Sequence, residues 1–455
     1  MSDTIAAIAT GSVLSAIGII RVTGSKTIPA VSELFRAKGG LMAENFEDRK
    51  LYYGDIRVNG RVLDRCMCTV SRGPHSYTGE DTAELQCHGS PVVLAETLSA
   101  LLRYGIRQAG PGEFTKRAFI NGKMDLVQAE AVIDLINAET ADVAVNAAGQ
   151  LAGAVSGRTD VIYNELTDIM AHFHAVLDYS DEDIEPFEIH SYAEAFREHI
   201  MQLKRLESSF SRGSVMKNGV KCAIVGRPNV GKSSLLNTLL GYDRAIVTDI
   251  PGTTRDTIEE QVRLRGVRLR ITDTAGLRET NDPVEMLGVE RSRSAMYEAG
   301  LVLAVFDGSR ALDTGDMEAI TAASGAPYSI AVINKADLTQ VMDTVKIEEE
   351  FQYVCRVSSL RGTGLDKLEQ IVAGIFDGGG DHSPGEVLTN PRHYDAVMRA
   401  GKSLESAVAA LEGGVTPDAV LLDIEDAMGA LGELTGKTVR EDITARIFER
   451  FCVGK

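Results

Sequence analysis

GRPNVGKS, residues 226–233, has the spacing Gly-x-x-x-x-Gly-Lys-Ser and stands between two stretches of opposite periodicity. Before it, Lys221 to Val225 (KCAIV) is a short apolar strand. After it, Ser233 to Leu240 (SSLLNTLL) has helical spacing, with Gly241 placed to end the helix. A strand, a glycine-rich loop and a helix in this order aim backbone N–H groups at a phosphate on the positive end of a helix dipole. In that reading Asn229, Val230, Gly231, Lys232, Ser233 and Ser234 surround the phosphates. Lys232 reaches the β- and γ-phosphates, and the Ser233 hydroxyl ligates Mg²⁺.

Four further elements follow in the order such a domain requires. TDIPGTT, residues 248–254, is a polar loop past the helix (Thr248, Asp249, Ile250, Pro251, Gly252, Thr253, Thr254), and Thr254 is the expected second Mg²⁺ hydroxyl. The strand Leu269 to Thr272 leads to DTAG (Asp273, Thr274, Ala275, Gly276), where Asp273 holds the metal through water and the Gly276 N–H meets the γ-phosphate. The apolar run Ile330 to Ile333 leads to NKAD: Asn334, Lys335 and, after Ala336, Asp337. A carboxylate at Asp337 can accept from both the N1–H and the exocyclic amine of guanine. Adenine lacks that donor pair and would leave the carboxylate unpaired, so the site reads guanine. Ser358 and Ser359, after Tyr353 to Val357, supply the last base-contacting loop. Residues 217–376 are therefore expected to form a Ras-like α/β P-loop GTPase domain.

The 455 residues allow about three domains. No early signal-like segment is present and no apolar stretch approaches the roughly 20 residues that span a bilayer, so no membrane association and a cytoplasmic location are expected. The six cysteines lack metal-ligand spacing in the sequence and read as reduced thiols. Cys66 and Cys68 alternate in a strand and are expected to be buried. A net charge of −18 is unlike that of a protein gripping nucleic acid alone; any RNA is expected to be held weakly or shared with another subunit.

Flanking the GTPase, helical periodicity covers 126–155, 161–177 and a helix marked by Phe196, Ile200, Leu203 and Phe210. The breaker DGGGDHSP follows at 377–384, and helical pattern resumes from about 392 to 451. The chain thus reads as multidomain: an α+β N-terminal domain (1–118), an α-helical domain in two halves (119–216 and 377–455), and the GTPase inserted between them. In the N-terminal domain the strands are Gly18 to Val22, Tyr52 to Val58 and Ala83 to His88. Glu84, Gln86 and His88 share one face of the last, with Leu85 and Cys87 on the other. Ser90 and Pro91 open a helix running to about Tyr104.

TGEDTAELQCHG (78–89), PGEFTKRAFINGKMDLVQAEAVIDLI (111–136) and REDITARIFERFCVGK (440–455) resemble the MnmE (TrmE) family of tRNA-modification GTPases over the whole chain. The terminal Phe-Cys-Val-Gly-Lys is the most specific part. The resemblance implies a homodimer through an N-terminal domain that binds a tetrahydrofolate derivative, 5-formyl or methylene, at Arg21, Glu84, Lys123 and Lys455. Ile443, Ile447 and Phe451 recur every four residues, so the last helix should pack and deliver its tail to a fixed place. Cys452 is then near the folate, as a nucleophile, a redox participant or a buried filler.

Leu277 follows DTAG, and a leucine cannot orient a water, so the hydrolytic group must come from elsewhere. The resemblance assigns Glu285; Glu279 is the nearer competitor. Arg255 and Arg278 are weak candidates for an arginine finger. The resemblance instead implies K⁺ held by Asn229, Thr248, Thr253 and the Ile250 carbonyl. It further implies a flavin- and NADH-dependent partner, MnmG, in a heterotetramer that modifies carbon 5 of the wobble uridine of certain tRNAs. A regulatory or ribosome-assembly switch would share the phosphate loop, but such proteins usually append a basic module, and none is visible here.

Overall fold

The computed structural model describes residues 3–11, 13–178, 189–242, 260–272, 299–376, 383–438 and 441–454. Two compact units are formed, one from residues 1–137, 146–204 and 395–455, the other from residues 138–145 and 205–394.

The first unit is built on seven strands: β1 (Ile5–Ile8), β2 (Ile17–Thr23), β3 (Phe35–Ala37), β4 (Tyr52–Val58), β5 (Arg61–Ser71), β6 (Thr82–His88) and β7 (Arg107–Gln108). They pair in the order β3-β4-β5-β6-β2-β1-β7. All pairs are antiparallel except β1 with β7. Period-2 alternation sorts the side chains as expected. Ala83, Leu85 and Cys87 are buried on one face of β6, while Glu84 and Gln86 are half-buried and His88 is exposed on the other. The apolar face, with Ile20, Val22, Cys66, Cys68 and Val70, packs against Leu34, Phe35, Leu94 and Leu101. Much of that cover comes from two helices, Thr27–Leu34 and Pro91–Arg103. Pro91 sits in the first turn of the second, where its missing N–H leaves no bond unmade.

The helical pattern of 126–178 is split into three, Leu126–Ile136, Ala141–Leu151 and Ala154–Asp178. Asp125 accepts from the Gln128 N–H while Gln128 accepts from the Asp125 N–H, so the first begins on a reciprocal cap. Phe196 and Leu203 are buried on the helix Ile189–Asn218. The C-terminal run comprises Pro391–Glu412, Pro417–Thr435 and Glu441–Phe448. Of the four-residue stripe expected there, Ile447 and Phe451 pack as expected, while Phe451 lies beyond the helix end. The last helix stops at Phe448, and Phe448 and Phe451 are buried against Leu126 and Ala129 with Ile447 at the margin.

The second unit contains β8 (Val220–Val225), β9 (Glu260–Leu264), β10 (Val267–Thr272), β11 (Leu301–Asp307), β12 (Ser329–Asn334) and β13 (Tyr353–Arg356). Their order is β13-β12-β11-β8-β10-β9. Five strands are parallel and β9 is an antiparallel edge. β11 is buried at every position and β12 at all but its first, as strands covered on both faces must be. The chain passes from β8 to β10 on one side and to β11 on the other. The crevice at the carboxyl end of β8 is thus a topological switch point, where open α/β sheets bind ligands. The helix after the phosphate loop runs Lys232–Tyr242. Gly241 therefore lies inside it and does not end it, a correction to the sequence reading. Among the described residues no helix is long and apolar enough to cross a membrane.

Candidate functional site

The phosphate loop leaves β8 through three residues at positive φ: Gly226 (145°), Asn229 (65°) and Gly231 (99°). A Cβ on Gly226 would meet the Val305 carbonyl at 2.4 Å, and one on Gly231 would meet Asn334 Nδ2 at 2.2 Å. Both glycines are needed for conformation and for close approach. Asn229 tolerates the left-handed region better than most residues, so its backbone alone accounts for an asparagine there. Val230 is buried, and Ser233 and Ser234 are exposed at the start of the helix. Lys232 is half-buried. Its Nζ donates to the carbonyls of Gly226 (2.8 Å) and Arg227 (2.7 Å). Burial pulls its pKa below the ordinary lysine value. An ammonium has three donors, so one proton remains for a phosphate oxygen without breaking either bond.

The base-reading residues gather at the carboxyl ends of β12 and β13. Asn334 is 2 % exposed. Its Nδ2 donates to the Val230 carbonyl (3.0 Å), and its Oδ1 accepts from the Ser359 N–H (3.0 Å) and hydroxyl (2.9 Å). One side chain therefore ties the phosphate loop to the last base loop. Ser358 donates its hydroxyl to Asp337 Oδ1 at 2.5 Å, and this bond first of all holds the Asp337 carboxyl below the usual range. Lys335, at φ 61°, donates Nζ to Asp307 Oδ2 at 2.6 Å. Burial raises the Asp307 pKa, but Lys335 and Ser309 outweigh it and the net shift is downward. Sequence reading missed Asp307. It missed Thr238 also, whose hydroxyl donates to the Ser359 carbonyl at 2.7 Å. The only sequence signal for Asp307 was its place at the end of an apolar strand.

Thr248, Asp249, Ile250, Pro251, Gly252, Thr253, Thr254, Asp273, Thr274, Ala275, Gly276 and Glu285 lie outside the described residues, as do Arg255, Leu277, Arg278, Glu279 and Lys455. Of the expected metal ligands, Ser233 and Asn229 are described. Ser233 opens the helix with its side chain exposed, which suits an Mg²⁺ ligand beside a triphosphate. Asn229 is likewise exposed, and its side-chain oxygen suits a hard cation.

In the first unit, Arg21 and Glu84 are direct partners in the β2–β6 register. Arg21 donates Nε and Nη2 to the single oxygen Glu84 Oε1, at 2.9 and 2.8 Å. Glu84 Oε2 takes no bond among the described residues and remains free to accept. The Arg21 guanidinium lies 5.7 Å from the Tyr77 ring and 5.8 Å from that of Phe114. Lys123 is exposed, with its stem along Gly79. The segment 77–79 thus borders both Lys123 and the Arg21–Glu84 pair. The chain's tail is pinned nearby: Pro111 and Val453 form an antiparallel bridge, and the Gly112 N–H donates to the Cys452 carbonyl at 3.3 Å. Cys452 is exposed, the other five cysteines being buried, which removes the buried-filler reading. A cavity of about 600 Å³ opens beside the tail, lined by Glu80, Pro111, Glu113, Lys116, Arg117 and Phe448 among others. None of Arg21, Glu84, Lys123 and Cys452 lines it.

Known proteins resemble the chain throughout. The family model for the MnmE helical domain matches residues 126–452, and that for the N-terminus of the GTP-binding protein TrmE matches 4–123. The tRNA modification GTPase MnmE of Clostridioides difficile (strain 630) is 41% identical over 459 residues, covering 100% of both chains. That of Natranaerobius thermophilus is 41% identical over 458 residues, covering 100% of this chain and 99% of its own. Among solved structures, Era in complex with MgGDPNP and nucleotides 1506-1542 of 16S ribosomal RNA is 28% identical over 40% of this chain and 66% of its own, at a TM-score of 0.26, too low to carry an argument. On the two family models and the full-length identity, the chain belongs to the MnmE (TrmE) family of tRNA modification GTPases and is a GTP-hydrolysing enzyme.

Proposed function

We propose that this chain couples K⁺-stimulated GTP hydrolysis to modification of carbon 5 of the wobble uridine in certain tRNAs. It acts as a homodimer joined to the FAD- and NADH-dependent subunit MnmG, with a tetrahydrofolate derivative as one-carbon donor. The observation that carries the nucleotide half is the Asn334 lock. It joins the phosphate loop to the guanine-reading loop through bonds made entirely within the protein, so one buried side chain fixes the two halves of the site relative to each other.

In this reading, Lys232 and the backbone N–H groups of the phosphate loop hold the phosphates, and Asp337 with Ser358 reads the guanine edge. Ser233 and Thr254 hold Mg²⁺, which neutralises charge on the phosphate oxygens. Asn229, Thr248, Ile250 and Thr253 hold K⁺, which does so where an arginine finger would. Glu285 orients the attacking water, since Leu277 cannot. The domains are assigned as 1–118, 119–216 with 377–455, and 217–376.

The folate half rests on the family and is supported by chemistry on the first sheet. Glu84 keeps one carboxylate oxygen free to accept from pterin N–H groups while Arg21 holds the other. Lys123 and Lys455 are the cations for an acidic tail, and Cys452 stands exposed beside Gly112.

The deciding experiment has two arms. Turnover is compared in potassium and sodium buffers of equal ionic strength, and equal rates refute the K⁺ assignment. Nucleosides of tRNA from a strain deleted for this protein are analysed by mass spectrometry. Unaltered wobble uridines refute the modification role and leave a GTPase switch.

A further inference from the structure

A cluster on the first sheet is used by neither half of this function. The β4–β5 register pairs Gly54 with Cys66, and the β2–β6 register pairs Gly18 with Cys87. The β5–β6 ladder runs Met67 to Gln86 and Cys68 to Leu85, which sets Cys66 opposite Cys87. Across four strands the row therefore reads Gly54, Cys66, Cys87, Gly18, two thiols flanked by residues without side chains. Asp64 lies two residues before Cys66 and so on the same face. A carboxylate oxygen of Asp64 and the two Sγ atoms all lie within 4.8 Å of one another.

Hydrogen bonds hold Asp64 in place beside the two thiols. The residue is 9% exposed, and among the described residues no lysine or arginine pairs with it. Its oxygens are fixed by the backbone N–H of Arg65 (2.7 Å) and of His88 (2.9 Å). The His88 ring reaches it through Nδ1 at 2.7 Å. Carboxylates that ligate metals are themselves held by hydrogen bonds. The His88 side chain is 72% exposed, so this side opens to solvent while the thiols are shielded.

We propose that Asp64, Cys66 and Cys87 bind one thiophilic divalent cation, of which zinc fits best, with water at the fourth corner on the His88 side. Bond lengths of about 2.3 Å to sulfur and 2.0–2.2 Å to oxygen set tetrahedral edges of roughly 3.5–3.8 Å, which the 4.8 Å limit on the separations here allows. Two thiolates are the preferred donors of zinc among common divalent ions. Two thiol protons leave to solvent on binding, and no electron is transferred. The ion joins β5 to β6 across the Cys66–Cys87 row.

The test uses the full chain, reduced and stripped with a chelator. Zinc alone is titrated by calorimetry and cobalt(II) alone by absorption. The expected result is one equivalent per chain, a near-ultraviolet thiolate-to-cobalt charge-transfer band, and a melting temperature raised by zinc. Cys66→Ser and Cys87→Ser each abolish the band, and Cys452→Ser leaves it in place. His88→Ala alters an exposed side chain, so the fold survives, and zinc affinity falls about tenfold or more. That variant decides the matter if the buried serines prevent folding. Absence of the band, its persistence without Cys66 or Cys87, unchanged zinc affinity in His88→Ala, or a Cys66–Cys87 disulfide in place of bound metal overturns the proposal.

Discussion

Replacing Asn334 by alanine should weaken nucleotide binding by cutting the tie between the phosphate loop and the base loop. The side chain makes three hydrogen bonds, one to the Val230 carbonyl and two to Ser359. It is almost wholly buried. The Ser359 hydroxyl can turn to another acceptor, but the Val230 carbonyl and the Ser359 N–H are backbone groups that cannot. A buried polar group left unpaired costs about 1–3 kcal/mol. Two such groups, partly relieved by water entering the vacated space, give about 3 kcal/mol. Because the bonds lie within the protein, part of the loss appears as a lower thermal midpoint of the chain, followed by circular dichroism. The rest appears in binding, because the phosphate loop and base loop lose their shared tether. If the whole loss falls there, GTP affinity drops about a hundredfold, at 1.4 kcal/mol per tenfold. The assay is equilibrium titration with a fluorescent guanine nucleotide. A variant that binds within about threefold of the parent and melts at the same temperature refutes the reasoning.

Gly231→Ala should fail more completely, since it combines a φ of 99° with a Cβ at 2.2 Å from Asn334 Nδ2; the same titration checks it, and retained binding would show the loop to be more yielding than this. Asp337→Asn should exchange GTP for xanthosine triphosphate, because an amide can donate to the carbonyl that xanthine carries where guanine has its amine; competition between the two nucleotides measures the swap. The Asp337 pKa is depressed by the Ser358 hydroxyl, so the carboxylate contribution to guanine binding is complete above the ordinary aspartate value and fades only as pH falls through the lower one. Affinity attributable to Asp337 should therefore be flat from neutrality down to that range, and loss between pH 5 and 6 in the parent but not in Asp337→Asn would contradict it. Iodoacetamide at mildly alkaline pH should label one cysteine per chain, Cys452, since the other five are buried and burial pushes the Cys222 and Cys355 thiols up to about 12; peptide mass spectrometry identifies the site, and rapid labelling of a second thiol would count against the buried assignments.

The parts legible from the chain alone are those set by local chemistry. A Gly-x-x-x-x-Gly-Lys-Ser run after an apolar strand places β8, the loop and the helix Lys232–Tyr242, because positive φ at Gly226 and Gly231 and the helix dipole are properties of neighbouring residues. Alternation likewise placed Glu84 and Leu85 on opposite faces of β6. Gly241 was placed one residue off, since the described helix includes it and reaches Tyr242. What only the tertiary structure decided are the pairings between distant segments: Arg21 with Glu84, Asn334 with Val230 and Ser359, Lys335 with Asp307, the tail at Val453 with Pro111, and Cys66 opposite Cys87. Strand order and register fix these, and both depend on which buried faces meet. One sequence window reports that a face exists but not which segment, tens or hundreds of residues away, will cover it.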